Sequence, residues 1–411
     1  MKDFLFATLS RSIVIGAQLG YVKLYSSYLS NYELGLYFFL VTVSYSLNAF
    51  LFVPIDYYQQ AKIYGYVKNN ISLKTFVVFN KKCIAVTVAV TLALTLVSGL
   101  IRHEYALYTL LAGMLSITLY IGNALKGVLN NLEHRGFVSS ILAMEGILKI
   151  VIFYAFLTFL PGHATTLISS ATLALVLLLV PLAWRASKLP AFTSGKVTEI
   201  KVNEVFKFAY PVSIGAVINW IQLQGYRLVL VPLGFAEIVG IYATVSGIGN
   251  AGMGAAAVVF GQVFMPRIYK TSGEYTKTYL CNALVLVIGI CIFSALFSDT
   301  IVTLLTKSEF KQFSWLILYG IIAEAGNFLI GALSVHLTIA DKTKEMLVAS
   351  IIGLVRVVSI FAAIYLLKFA SVYTIGLPII CSQIVVLIYL YIVHLNTRTI
   401  LNGSLRAQSG S

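Results

Sequence analysis

About twelve apolar stretches of roughly 20 residues each, parted by short polar loops, run the length of this chain. A helix rises 1.5 Å per residue, so about 20 apolar residues cross a bilayer core, and a helix satisfies its own backbone there. Composition agrees: 59% of the residues are hydrophobic and 11% charged, where a soluble domain carries about 25% charged residues. A water-soluble fold is excluded. The pattern predicts an all-α polytopic membrane protein with spans near 4–29, 34–56, 76–101, 105–127, 138–160, 164–184, 206–231, 238–263, 278–298, 312–338, 346–367 and 371–394. The first stretch is too long and too polar for a cleaved signal peptide and is taken as a mature helix.

Lysine and arginine set the orientation. With the N-terminus inside, the inner segments hold nineteen of them, including Lys62, Lys126, Arg185, Lys196, Arg267, Lys342 and Arg398. The outer loops hold four: Arg102, Lys307, Lys311 and Lys368. Both termini are therefore expected in the cytoplasm, with the chain in a bacterial inner membrane. The formal charge of +14 then lies mostly on the cytoplasmic rim, a topology signal and a contact for anionic membrane lipids rather than for nucleic acid. Cys83, Cys281, Cys291 and Cys381 show no metal or disulfide spacing and are expected to pack as small residues. Gly247-Ile248-Gly249-Asn250-Ala251-Gly252 spells a dinucleotide fingerprint, but inside a span and without a preceding strand. Small residues at a close helix crossing, or a hinge, explain it better, and Gly16 with Gly20 forms a similar pair. No Walker loop, zinc motif or catalytic triad occurs, so neither a cofactor nor an enzymatic activity is expected.

The long polar inner loop near 185–205 separates six spans from six. The expected organisation is a six-helix bundle over 1–190, a linker over 191–205, a second bundle over 206–397 and a cytoplasmic tail over 398–411. The halves resemble each other where the first helix passes into the second. Gly20-Tyr21-Val22-Lys23-Leu24 precedes Leu29, Glu33, Gly35 and Tyr37; Gly225-Tyr226-Arg227-Leu228 precedes Leu233, Glu237, Gly240 and Tyr242. Six spans return the chain to its starting side, so the repeats run parallel, the arrangement of alternating-access carriers.

These residues carry a resemblance. Leu29-Ser30-Asn31-Tyr32-Glu33-Leu34-Gly35-Leu36-Tyr37 and Leu233-Gly234-Phe235-Ala236-Glu237-Ile238-Val239-Gly240-Ile241-Tyr242 are similar to the first turn of polysaccharide and O-antigen flippases. Ser30 departs from the glycine of that pattern. Phe208-Ala209-Tyr210-Pro211, Arg227-Leu228-Val229-Leu230 and Met265-Pro266-Arg267-Ile268 match further elements in order. The family lies within the multidrug, oligosaccharidyl-lipid and polysaccharide exporter superfamily. The resemblance implies a MATE-like fold and a flippase of undecaprenyl-diphosphate-linked oligosaccharide. It further implies lipopolysaccharide or polysaccharide assembly, beside partners such as a polymerase and a chain-length regulator.

Charges within the spans point to the same substrate class. A charge at mid-membrane costs at least ~2.5 kcal/mol on insertion scales and marks a functional candidate. Arg11, Lys23, Lys149, Arg227 and Arg356 stand against Glu145 and Glu324. A surplus of buried cations suits a diphosphate, and these five are the substrate-binding candidates. Arg11 can instead snorkel to the inner surface. Glu145 and Lys149, four residues apart, either neutralise each other or form a proton-sensitive pair. Glu324 is the best single candidate for proton or ion coupling, with Arg356 its conceivable partner. Tyr21, Tyr25, Tyr28, Tyr37 and Tyr45 suit interfacial anchoring more than sugar stacking. Gln18, Asn48, Asn123, Asn219, Gln222, Gln224 and Asn327 suit a hydrated cavity. A cation-coupled drug exporter would want the opposite buried charge. An O-antigen polymerase or ligase would want a longer outer loop than 299–311.

Overall fold

A computed structural model of the chain describes residues 2–271, 273–340 and 342–409, the side chains of residues 2–11, 210–212 and 397–409 lying outside the description. Every apolar stretch is helical, and among the described residues the β-type pairing is one isolated bridge, Ile71 with Lys196. The elements are α1 (Lys2–Tyr28), α2 (Asn31–Leu47), α3 (Val53–Lys68), α4 (Lys74–Ile101), α5 (His103–Asn131), α6 (Arg135–Leu157) and α7 (Ala164–Ser187). They continue as α8 (Pro190–Thr193), α9 (Val202–Leu230), α10 (Ala236–Lys270), α11 (Thr276–Leu305), α12 (Leu316–Ile339), α13 (Thr343–Leu366) and α14 (Gly376–Ser409). Ten stretches of described residues are long and apolar enough to cross a membrane. Helices α1 and α9, at 27 and 29 residues, have the length to do so as well.

The second span does not stop at residue 56. Asn31–Lys68 is one helical stretch of 38 residues, about 57 Å at 1.5 Å per residue, so it overshoots a ~30 Å core. Residues Asn48–Phe52 within it wind as a π-helix, just ahead of Pro54. Proline lacks an N–H and crowds the carbonyl of the preceding turn, and a widened turn relieves both. Asn48 Nδ2 holds that turn against α5, donating to the Ser116 carbonyl at 2.8 Å and to Ser116 Oγ at 3.0 Å.

The chain divides into two compact units, Met1–Val217 and Ile218–Ser411, with the boundary inside α9. The polar segment after α7 packs on the first unit. Ser72 N donates to the Lys196 carbonyl at 2.9 Å, Lys196 N to the Asn70 carbonyl at 3.1 Å, and Leu73 N to the Ala191 carbonyl at 2.8 Å. Gly195, at φ +94°, lies so close to Asn70 that a Cβ would collide with its carbonyl. Phe192 then joins Phe76 and Tyr120 in a buried cluster.

Both units repeat one set of neighbours. In the first, α4 packs on α5, α5 on α7, and α6 on α7; in the second, α11 packs on α12, α12 on α14, and α13 on α14. Such a correspondence of neighbours is what an internal repeat of one helical unit produces. Within lipid, close packing rather than water exclusion holds helices together. The tightest crossing joins α10 to α12: a Cβ on Gly249 would strike the Ile317 carbonyl, and one on Gly320 the Ser246 carbonyl. Of the glycine run in α10, Gly249 makes this contact, while Gly247 and Gly252 face open space. A Cβ on Gly20 would stand 3.4 Å from Ile150, whereas one on Gly16 would meet nothing within 4 Å.

Candidate functional site

In the first unit, α1 packs along α6, with Ala17 over Gly146 and Gly20 against Ile150. Lys149 precedes Ile150, and Lys23 lies three residues past Gly20, about 4.5 Å further along the axis. The two candidates therefore sit on adjacent helices at neighbouring levels. Lys23 is exposed. Lys149 Nζ is 2.7 Å from Glu145 Oε1, the i,i+4 pair expected on one helix face.

A third member was missing from the sequence reading. Lys126, assigned there to an inner loop, belongs to α5 and reaches Glu145 Oε2 at 3.4 Å. Side-chain exposures of 15% for Lys126, 16% for Glu145 and 24% for Lys149 put the triad largely out of solvent. One carboxylate between two ammonium groups leaves a local surplus of one positive charge. Glu145 is thus a structural counter-ion as well as a coupling candidate, and both its oxygens are engaged.

The tyrosines divide by position. Tyr21 and Tyr25 are buried, linked edge-to-face at 5.4 Å, with Tyr21 against Phe153 and Tyr25 against Tyr37. They pack α1 on α2 and α6 and are not interfacial anchors. Tyr28 and Tyr45 are exposed. Tyr226 and Tyr242 in the second unit stand edge-to-face at 5.4 Å, sixteen residues apart as Tyr21 and Tyr37 are.

The acid of the repeated turn has distinct surroundings in each copy. Glu33 Oε2 accepts from Ala164 N, the first residue of α7, at 2.6 Å, and Glu33 Oε1 is 3.4 Å from His163 Nδ1. A carboxylate at a helix N-terminus meets unpaired N–H groups and the positive end of the dipole. Its counterpart Glu237 is exposed.

In the second unit, Arg227 is half-buried on α9; its Nε donates to Tyr226 Oη at 2.9 Å, and its guanidinium lies 5.3 Å from the Tyr226 ring centre. Glu324 on α12 is half-buried over Gly254 of α10, 3.5 Å from where a Cβ would stand. One turn on, Asn327 Oδ1 accepts from Asn219 Nδ2 of α9 at 3.5 Å. Gln222 Nε2 donates to the Ser350 carbonyl at 2.8 Å and its Oε1 accepts from Ser382 Oγ at 3.1 Å. The amide oxygens of Asn250 and Gln383 are buried without a hydrogen bond. Glu324 thus belongs to a layer of polar side chains on α9, α10, α12 and α14. No ion pair forms between Glu324 and Arg356 among the described residues. Arg356 is exposed on α13, between the exposed Val355 and Val358. Arg11 belongs to α1, and its side chain lies outside the described residues.

No family model matches the chain, and no curated protein does. Among solved structures, the lipid II flippase MurJ in an inward closed conformation aligns at a TM-score of 0.70 and 15% identity, over 95% of this chain and 87% of that one. A multidrug resistance MATE family transporter of the MOP superfamily aligns at 0.61 in its inward-facing form, with 16% identity over 97% of this chain and 94% of that one. A multidrug resistance MATE family transporter of the MOP superfamily in an outward-facing conformation also aligns at 0.61, with 15% identity over 97% of this chain and 95% of that one. The chain has the fold of these transporters. That is the all-α, MATE-like fold the resemblance implies, and these proteins of like fold are a flippase and transporters.

Proposed function

We propose that the chain is a flippase carrying an undecaprenyl-diphosphate-linked oligosaccharide from the cytoplasmic to the outer leaflet by alternating access. The observation that carries this reading is the positive surplus kept inside the spans. Glu145 is saturated by Lys126 and Lys149, so Lys23 and the triad present net positive charge to an anionic group. Arg227 supplies a guanidinium of fixed orientation in the second unit, suited to forked binding of phosphate. Arg11 and Arg356 complete the proposed cationic set, and Glu324, in its polar layer, is the proposed coupling group.

In proteoliposomes holding a defined lipid-linked oligosaccharide, the wild type should expose the glycan to an externally added glycosidase. Lys23→Ala and Arg227→Ala should each slow this at least tenfold. Full transport by both variants would remove the diphosphate from this site. The Glu324 layer and the shared fold also support a second reading, a cation-coupled drug exporter. Efflux of a cationic dye lost in Glu324→Gln, with no lipid movement by wild type, would select it. The same proposal puts both termini in the cytoplasm of an inner membrane; a cysteine at Ser308 should react with an impermeant maleimide in intact cells, and one at Ser194 should not.

A further inference from the structure

At the basic end of the first unit a cavity of about 280 Å³ lies between α3, α4, α5 and α8. Its lining is almost wholly apolar, from Val77, Ile84, Ile121, Ala124, Leu125 and Val128. The polar groups at its wall answer one another: Gln59 Nε2 and Tyr120 Oη both donate to Asn80 Oδ1, at 2.5 and 2.7 Å. A sugar or phosphate inside would find no unmet hydrogen-bonding group, whereas a hydrocarbon chain needs none. The volume is just under the ~300–1,000 Å³ of small-molecule pockets, room for a chain segment and not for a large head group.

The rim supplies the charge. Lys81 lines the opening, and Lys74 precedes it by two turns on the same face of α4, with Val77 between them. Both lysines are exposed, and neither forms an ion pair among the described residues. The nearby acid Glu199 is engaged by Lys82 at 3.5 Å. Elsewhere α4 presents Val78, Val86 and Val90 outward, a face suited to surrounding lipid.

We propose that this cavity holds one acyl chain of an anionic phospholipid whose phosphate sits on Lys74 and Lys81. The site is separate from the triad and from Arg227 and does not depend on what the protein transports. Native mass spectrometry of the full-length protein, exchanged into micelles holding phosphatidylglycerol or phosphatidylcholine, tests it. Wild type should retain one phosphatidylglycerol in preference to phosphatidylcholine. Lys74→Gln with Lys81→Gln should weaken that preference about fivefold per lysine. Ala124→Phe should displace the chain by filling the cavity, and Val77→Trp should block its mouth should the first variant fail to fold. Equal retention of both lipids, or undiminished preference in the double variant, would overturn the assignment. So would displacement of phosphatidylglycerol by equimolar undecaprenyl phosphate, which would make the occupant an isoprenoid.

Discussion

Replacing Glu145 by glutamine removes the anion that holds two lysines on adjacent helices. At an effective dielectric of about 20, the contacts of 2.7 and 3.4 Å are each worth about 5–6 kcal/mol gross. Most of that offsets the cost of keeping three charged groups largely out of water. What the substitution exposes is the uncompensated remainder, Lys126 facing Lys149 without a counter-ion. Loss of a partner from a buried pair costs about 3–5 kcal/mol, and that is the expected destabilisation of Glu145→Gln. Lys126→Met is milder, because Glu145 keeps its shorter contact; the loss of one charged hydrogen bond predicts about 1.5–3 kcal/mol. Adding Lys149→Met to Glu145→Gln removes the facing charges and should recover most of the stability. Reversible unfolding in mixed micelles, by tryptophan fluorescence, gives all three numbers. Two results would refute the reasoning: Glu145→Gln within 0.5 kcal/mol of wild type by the usual scatter of neutral substitutions, or a double variant less stable than Glu145→Gln alone.

The α10–α12 crossing gives a second test: Gly320→Val should cost about 1–3 kcal/mol or more through overpacking, while Gly247→Ala, which faces open space, should stay within about 0.5 kcal/mol. Folded yield by size-exclusion chromatography separates the two. Glu33→Ala removes the carboxylate that caps α7 and should cost about 0.5–2 kcal/mol, with faster amide exchange confined to the first turn around Ala164; unchanged exchange there would show the cap to be without effect.

Much of this architecture was readable from one-dimensional properties. A bilayer demands a run of apolar residues of set length, so the helical class and the run of long apolar helices follow from order and composition alone. The repeat was visible for a similar reason: Gly-x-Tyr and the spaced tyrosines stayed recognisable in both copies, with Tyr226 and Tyr242 sixteen residues apart as Tyr21 and Tyr37 are. The Glu145–Lys149 pair was also within reach, since its partners share one helix face. Side chains meeting across helices were not. Lys126 stands 19 residues before Glu145 on another helix, and its place at the inner end of the expected 105–127 span counts it with the basic rim. Gly247 and Gly249 are equivalent in composition, yet one faces open space and the other a neighbouring carbonyl, because the rotation of α10 against α12 decides which is at the crossing. Glu33 looks identical to Glu237 in its motif, but only its own surroundings bring the N-terminus of α7 within 2.6 Å. Apolar patterning records whether a residue meets lipid; helix rotation, register and crossing distance, settled by packing between segments far apart in the chain, set which charged and small residues meet each other.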